Sequence, residues 1–151
     1  YLLFLSTVLS VYYLPKLSKA KTNEETKSIF RSYFTGIIPV FLIGLICVYF
    51  LRFFLIRVLY TEEFLPISTL FFWQLLGDLF KGTSLILGFQ FFAKKLTKAF
   101  LLTELVSLAI LSISSYYFIT NYGIEGVVIA HTVTFFLYLV VLTIYFRKSI
   151  F

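Results

Sequence analysis

The chain has 151 residues, of which 60% are hydrophobic and 21% aromatic, and only 13% carry a charge. A soluble domain of this size buries only about two-thirds of the surface that its unfolded chain exposes, which is too little interior for so much apolar surface. The net charge of +6 comes from short basic clusters between apolar runs, a pattern typical of membrane topology signals rather than of a nucleic-acid-binding surface. The composition therefore predicts an integral membrane protein.

Four apolar runs are long enough to cross a bilayer as helices, since about 20 residues span a hydrocarbon core of about 30 Å. A shorter apolar run at the start of the chain looks like the last part of a further helix. We therefore expect an all-α integral membrane fold, a single helical bundle of four complete transmembrane helices and one partial helix. The expected helices cover about residues 1–15, 32–58, 65–93, 98–120 and 124–146.

The segments that connect these runs alternate between basic and non-basic. The basic segments are residues 16–31, 94–98 and 147–151, and the non-basic segments are residues 59–64 and 121–125. By the positive-inside rule, we expect the basic segments to face the cytoplasm and the non-basic segments to face the other side of the membrane.

The start of the chain and its single cysteine give two further expectations. The sequence has no methionine and opens inside an apolar run without the basic region of a signal peptide, so we expect a fragment of a longer membrane protein. Cys47 lies within an apolar run and by itself forms neither a disulfide nor a metal site. We predict no metal site and no cofactor.

The stretch WQLLGDLFKG places two opposite charges, Asp78 and Lys81, in an otherwise apolar run. By rise per residue they lie roughly 18–24 Å along the helix from Lys94, near the bilayer midplane. At spacing i, i+3 they share a helix face with Gln74, so we expect them to pair with each other and to face the bundle interior or a wet cavity. A structural ion pair would also explain the pattern, but intramembrane charges cost about 2.5–3.5 kcal/mol each to insert and usually mark a functional site.

Other ionisable residues in the apolar runs are open to two interpretations each. Glu104 lies about two turns inside its helix, where it could reach the interface or face the same cavity. Arg57 is placed to reach lipid headgroups, whereas Arg52, about a turn deeper, could line a cavity. A lone His131 is more often a hydrogen-bonded packing residue than a proton relay.

The sequence contains no enzyme signature: there is no Gly-rich phosphate loop, no HExxH motif, no Cys–His pairing and no Ser–His–Asp set. The connecting segments are also too short to hold a catalytic domain. We therefore predict a protein that is not an enzyme and that recognises a charged group inside a membrane cavity.

Several stretches resemble a known transporter family. VYYLPKLSKAKT resembles the middle of the second half of polysaccharide flippases, although its LP-x-x-S piece is shared by several transporter branches. LYTEEFLPISTLFFWQLLGDLFKG, followed by LLTELVS, resembles the lipid III and O-antigen flippase (Wzx-type) branch of the multidrug/oligosaccharidyl-lipid/polysaccharide superfamily. The most specific piece runs from Phe71 to Lys81. The resemblance covers the whole chain, as helices eight (partial) to twelve of a twelve-helix protein.

The resemblance implies a function in surface polysaccharide biosynthesis, in O-antigen or enterobacterial common antigen assembly. Such a flippase turns an undecaprenyl-diphosphate-linked oligosaccharide from the cytoplasmic to the periplasmic leaflet of the bacterial inner membrane. Its implied partners are this lipid-linked substrate, membrane lipid, the N-terminal half of the same protein and other polysaccharide-assembly membrane proteins. No nucleic acid is implied.

The resemblance also implies roles for individual residues. Two six-helix halves would enclose a cavity with a cationic lining, to which Lys81 and Arg52 would contribute against the substrate's diphosphate. Asp78 would tune Lys81, with Gln74 on the same face, and Glu104 would bind a coupling proton or cation. Transport by this length of chain alone is not expected, because the N-terminal half is absent from it.

Three alternatives remain open at this point. A cation-coupled exporter of small organic cations from the same superfamily would be favoured by a net acidic cavity. A membrane glycosyltransferase or acyltransferase subunit would need a large extramembrane loop or a catalytic His/Asp pair, neither of which the sequence suggests. A non-transporting scaffold would use Asp78 and Lys81 only to hold helices together.

Overall fold

The computed structural model describes residues 2–59 and 62–147, in which all regular secondary structure is helical. Expectations that fall on residues 1, 60–61 and 148–151 lie outside the described residues. Four described helices are long and apolar enough to cross a membrane: Asn23–Leu59, Glu63–Ala93, Thr97–Tyr122 and Glu125–Tyr145. The predicted all-α membrane bundle is confirmed.

The first helical segment contains a widened turn next to a proline. It consists of α1 (Leu2–Val8), a π-helical turn (Leu9–Tyr13) and α2 (Leu14–Lys19). Pro15 has no N–H, and its ring would collide with the carbonyl four residues earlier in a regular α-helix. The wider turn, which ends two residues before Pro15, relieves that collision, so the chain stays helical through the proline.

The second segment repeats this arrangement on a longer scale. α3 (Asn23–Ser32) passes through a π-helical turn (Tyr33–Ile37) into α4 (Ile38–Leu59), and Pro39 is the second residue after the turn. The kink that Pro39 predicts is thus taken up by a wide turn rather than by a break in the helix.

The helix that leads into this second span begins well before the apolar run. Thr22 Oγ1 accepts a hydrogen bond from the backbone N–H of Glu25 at 3.2 Å, and the carboxylate of Glu25 accepts one from the N–H of Lys21 at 2.8 Å. These two bonds satisfy backbone donors that an uncapped helix start leaves free. Most of the basic segment expected to connect two spans is therefore helical.

The rest of the chain forms three long helices. A 3₁₀ helix (Glu62–Leu70) leads into α5 (Phe71–Ala93), which is followed by α6 (Thr97–Tyr122) and α7 (Glu125–Tyr145). Because α6 returns the chain, α5 and α7 run in the same direction and pack side by side.

α5 lies at the centre of the bundle, whereas α6 lies at its edge. α5 packs against α1, α2, α4, α6 and α7, and it contains more buried residues than any other helix described. No residue of α6 is buried. Large apolar side chains such as Leu3, Phe50 and Tyr116 are at least 74% exposed, as lipid or further helices would require.

A hydrophobic core joins α5 to the first two segments and to the end of α7. Its buried members are Leu9, Tyr13, Leu17, Phe30, Tyr33, Ile86, Leu87, Phe91, Leu142 and Phe146. The hydroxyl of Tyr33 donates to the carbonyl oxygen of Gly82 at 2.7 Å, which satisfies a buried polar group across two helices. This core holds the C-terminal parts of α5 and α7 together, and the polar residues described next lie earlier along the same two helices.

Candidate functional site

The carboxylate of Asp78 is the most deeply buried charged group described in the structure. Asp78 is 1% exposed and lies in the middle of α5. One turn earlier, the side-chain amide of Gln74 donates to both carboxylate oxygens at 3.2 Å each. The sequence-based expectation that Gln74 and Asp78 share a face is therefore met by direct hydrogen bonds.

Asp78 also binds a residue of the neighbouring helix. Nε2 of His131, in α7, lies 3.1 Å from Oδ1 of Asp78. When Asp78 is ionised, its carboxylate can only accept hydrogen bonds, and Nε2 of His131 is then the donor. The structure thus assigns His131 a charged partner, a role that the sequence analysis did not give it.

The α5–α7 interface is shaped to bring these two side chains together. At Gly77, a Cβ atom would collide with the ring of His131, so only glycine leaves room for the imidazole. Beside it, the hydroxyl of Thr132 donates to the carbonyl oxygen of Trp73 at 2.6 Å, which joins the two helices directly. The close approach and this cross-helix bond hold His131 against Asp78.

Lys81 occupies a different environment from Asp78. Its Nζ lies 4.6 Å from the centroid of the Phe135 ring, and the same ring makes an edge contact with His131 at 4.7 Å. The structure shows Asp78 in contact with His131, whereas the expected pairing of Asp78 with Lys81 stays a prediction. Asp78 points into the buried α5–α7 interface, whereas the longer Lys81 side chain is partly exposed and reaches a cavity.

This cavity has a volume of about 370 Å³ and lies between α5, α6 and α7. Lys81 from α5 and Glu104 from α6 both line it, so these two predicted residues come together. Tyr138 from α7 donates its hydroxyl to Oε1 of Glu104 at 2.6 Å. The other lining side chains that matter here are aromatic: Phe89, Phe92, Phe100 and Phe135.

Arg52 does not line this cavity. It belongs to α4, where its guanidinium donates to the carbonyl oxygen of Tyr49 at 2.7 Å. The same guanidinium lies 4.2 Å from the ring of Tyr49 and 4.4 Å from that of Phe53. Its own helix thus provides the acceptor and the rings that stabilise its charge, and a role for Arg52 in a cavity between the two halves of a flippase stays a prediction.

Neither a metal centre nor a catalytic set emerges from these residues. In the described ranges, no three His, Cys, Asp or Glu side chains lie close enough together to hold a metal ion. The His/Asp pair that a transferase would need is present after all, but its carboxylate is buried between helices. His131 contacts this carboxylate and the ring of Phe135.

Comparison with known proteins gives two relatives. The chain is 29% identical over 139 residues to the lipid III flippase of Escherichia coli (strain K12), and equally to the lipid III flippase of Shigella flexneri. The match covers 91% of this chain and 33% of each relative, so the chain spans about a third of the length of the curated relatives it matches. No protein-family model matches the chain, and no solved structure matches it significantly.

These similarities agree with the character of the helices. Four spans of suitable length and a relationship to flippases support the predicted location, a multi-pass protein of the inner membrane. The matched region includes most of the chain. The comparisons support a relationship between this chain and membrane flippases.

Proposed function

We propose that the chain is part of a flippase that moves an undecaprenyl-diphosphate-linked oligosaccharide across the inner membrane, and that Lys81 binds the diphosphate. The similarity to lipid III flippases supports the class of activity. The observation that carries the proposal is the position of the Lys81 ammonium, which faces a cavity between three apolar helices.

The ammonium of Lys81 is held in a way that leaves its charge available. A cation over an aromatic ring is stabilised by about 0.5–2 kcal/mol, but the ring does not neutralise it. A carboxylate partner would compete directly with a phosphate for the same charge. Because the surroundings are apolar, the attraction between Lys81 and an anion is stronger there than it would be in water.

The opposite wall of the cavity suits the sugar part of such a substrate. The carboxylate of Glu104 can accept hydrogen bonds from sugar hydroxyls, and the aromatic rings offer apolar faces for the C–H side of a sugar ring. The volume of about 370 Å³ lies at the lower end of the range for small-ligand sites, about 300–1,000 Å³. We propose that it holds the diphosphate and one sugar, and that a longer substrate uses helices of the N-terminal half as well.

An exporter of small organic cations is less well supported by the same geometry. Asp78 would be the natural cation site, but it is buried and is bound by Gln74 and His131. The cavity itself presents one cationic and one anionic side chain, Lys81 and Glu104, so it is not net acidic. This balance favours a substrate with both phosphate and hydroxyl groups.

Complementation of a flippase-null strain with the complete open reading frame tests the proposal. Lys81→Ala should abolish display of the surface polysaccharide at normal membrane abundance, and Lys81→Arg should retain part of it. Lys98→Ala is the matched control, since Lys98 is exposed in the first turn of α6 and should be replaceable. Full display with Lys81→Ala would show that Lys81 does not bind the substrate.

A further inference from the structure

We propose that Asp78 and His131 form a reversible proton-binding site between α5 and α7. A proton is a ligand that neither the cavity nor the similarity to flippases assigns to these residues. Its place in the molecule is separate from the substrate cavity, because Asp78 is buried in the helix interface. The role of such a site in driving substrate movement rests on the proposed function, but the binding of the proton does not.

The hydrogen bond between the two side chains decides where the proton goes. In the neutral imidazole, Nε2–H donates to Oδ1 of Asp78, which leaves Nδ1 with a lone pair. A proton from a hydronium ion then adds to the lone pair of Nδ1, which leaves a water molecule behind. The imidazole becomes an imidazolium that still donates through Nε2 to the same carboxylate.

The charge of the pair changes in a way that the membrane interior makes significant. With a neutral imidazole the pair carries one negative charge, and with an imidazolium it carries none. The added proton therefore introduces an attraction between the imidazolium and the carboxylate across the α5–α7 interface, where low polarity makes it strong. The free energy of packing α5 against α7 therefore differs between the state with the extra proton and the state without it.

Access and positioning are divided between the two side chains. The side chain of His131 is 18% exposed, while that of Asp78 is 2% exposed, so the proton can reach the imidazole without opening the carboxylate to water. Gln74 donates to both carboxylate oxygens and, as a neutral amide, keeps that role in either state. The carboxylate is thereby fixed while the imidazole gains and loses the proton.

Other charged groups on the packed helices make contacts of their own. Lys81 lies over Phe135, Glu104 accepts from Tyr138, and Arg52 donates to the carbonyl of its own helix. Glu125 begins α7 but is exposed, about 9 Å along the helix from His131. Of these groups, Lys81 is the one that shares a contact with His131, through the ring of Phe135.

The test is solid-state ¹⁵N NMR of histidine-labelled protein, expressed from the complete open reading frame and held in lipid bilayers without substrate. The signal of His131 is identified by its loss in His131→Gln. When the sample is acidified through the range in which the protein stays folded, it should change from a neutral ring protonated at Nε2 to an imidazolium. A ring that keeps one protonation state over this range, or whose neutral form carries its hydrogen on Nδ1, would overturn the proposal.

Two variants show whether the carboxylate is responsible. Asp78→Leu removes the acceptor, so the neutral ring of His131 should populate both tautomers. Glu125→Gln removes a carboxylate from the exposed end of the same helix and should leave the spectrum unchanged. If Asp78→Leu does not fold, the wild-type spectrum still decides whether His131 binds the proton as proposed. Since no substrate is present, this result is independent of the complementation test of Lys81.

Discussion

Lys81 and His131 lie against the same aromatic ring. Nζ of Lys81 is 4.6 Å from the centroid of Phe135, and the imidazole of His131 meets that ring at 4.7 Å between centroids. Lys81 faces the cavity, whereas His131 faces the buried carboxylate of Asp78. One apolar side chain therefore separates the proposed anion site from the proposed proton site, and a charge at either one is felt at the other.

This proximity predicts that an anion and a proton help each other to bind. A diphosphate at Lys81 offsets the repulsion between the ammonium and an imidazolium at His131, so diphosphate binding should be accompanied by proton uptake. By reciprocity, acidification should tighten diphosphate binding by the same free energy. Isothermal titration calorimetry with farnesyl diphosphate, in buffers of different ionisation enthalpy, measures the number of protons taken up.

The comparison of variants separates this uptake from protonation of the diphosphate itself. His131→Gln should still bind farnesyl diphosphate but should take up fewer protons than the wild type. Glu125→Gln should match the wild type in both quantities, because it alters an exposed residue at the start of α7. Equal proton uptake in His131→Gln and the wild type would show that the two sites are not coupled.

Asp78 should matter for stability as well as for proton binding. In Asp78→Ala, the donors of Gln74 and His131 lose their acceptor, and each unsatisfied buried group costs about 1–3 kcal/mol. Asp78→Asn keeps one acceptor oxygen and should be milder. Thermal unfolding in detergent should therefore rank the proteins as wild type, then Asp78→Asn, then Asp78→Ala. The reverse order of the two variants would contradict the hydrogen-bond geometry.

Gly77 should be far less tolerant of a methyl group than a glycine elsewhere in α5. Gly77→Ala would place its Cβ into the ring of His131, so the two helices must move apart, which costs about 1–3 kcal/mol. Gly88→Ala is the matched control in the same helix, since no atom lies within 4 Å of its added Cβ. It should be neutral or stabilising by up to about 1 kcal/mol. Thermal unfolding of both variants provides the measurement.

The orientation of the chain in the membrane is predicted from the positions of its basic segments by the positive-inside rule. Single cysteines at Lys21 and Asn121, in a background without Cys47, should be labelled from opposite sides of the membrane, Lys21 from the cytoplasm. A membrane-impermeant maleimide added to intact spheroplasts measures this. Labelling of both positions from outside would overturn the predicted topology.

The sequence was sufficient to predict the spanning helices and to single out the two charged residues within an apolar run. Long apolar runs specify spanning helices because lipid offers no partner for backbone groups, and the isolated charges of Asp78 and Lys81 stand out within such a run. The partners of those charges were harder to predict. The spacing of Asp78 and Lys81 suggested contact along one helix, whereas the carboxylate binds across the interface to α7.

The sequence contained a signal for the contact between His131 and Asp78, but reading that signal required knowledge of how the helices pack. Asp78 and His131 each lie about four turns before the end of their helices, and α5 and α7 run in the same direction. Gly77, next to Asp78, marked the place of close approach. Arg52 could not be placed in the same way, because its position depends on how α4 packs rather than on its depth in the membrane.

Glu104 and His131 are now alternative sites for a coupling proton, and their variants should behave differently. Glu104 is exposed to the cavity and is bound by Tyr138, so Glu104→Gln should weaken substrate transport at every pH. Tyr138→Phe should be milder, because the carboxylate remains free to accept from sugar hydroxyls. His131→Gln should instead remove the pH dependence of transport, measured in proteoliposomes with a fluorescent polyprenyl-diphosphate sugar. A pH dependence that disappears in Glu104→Gln and persists in His131→Gln would return the coupling role to Glu104, as the resemblance to flippases implied.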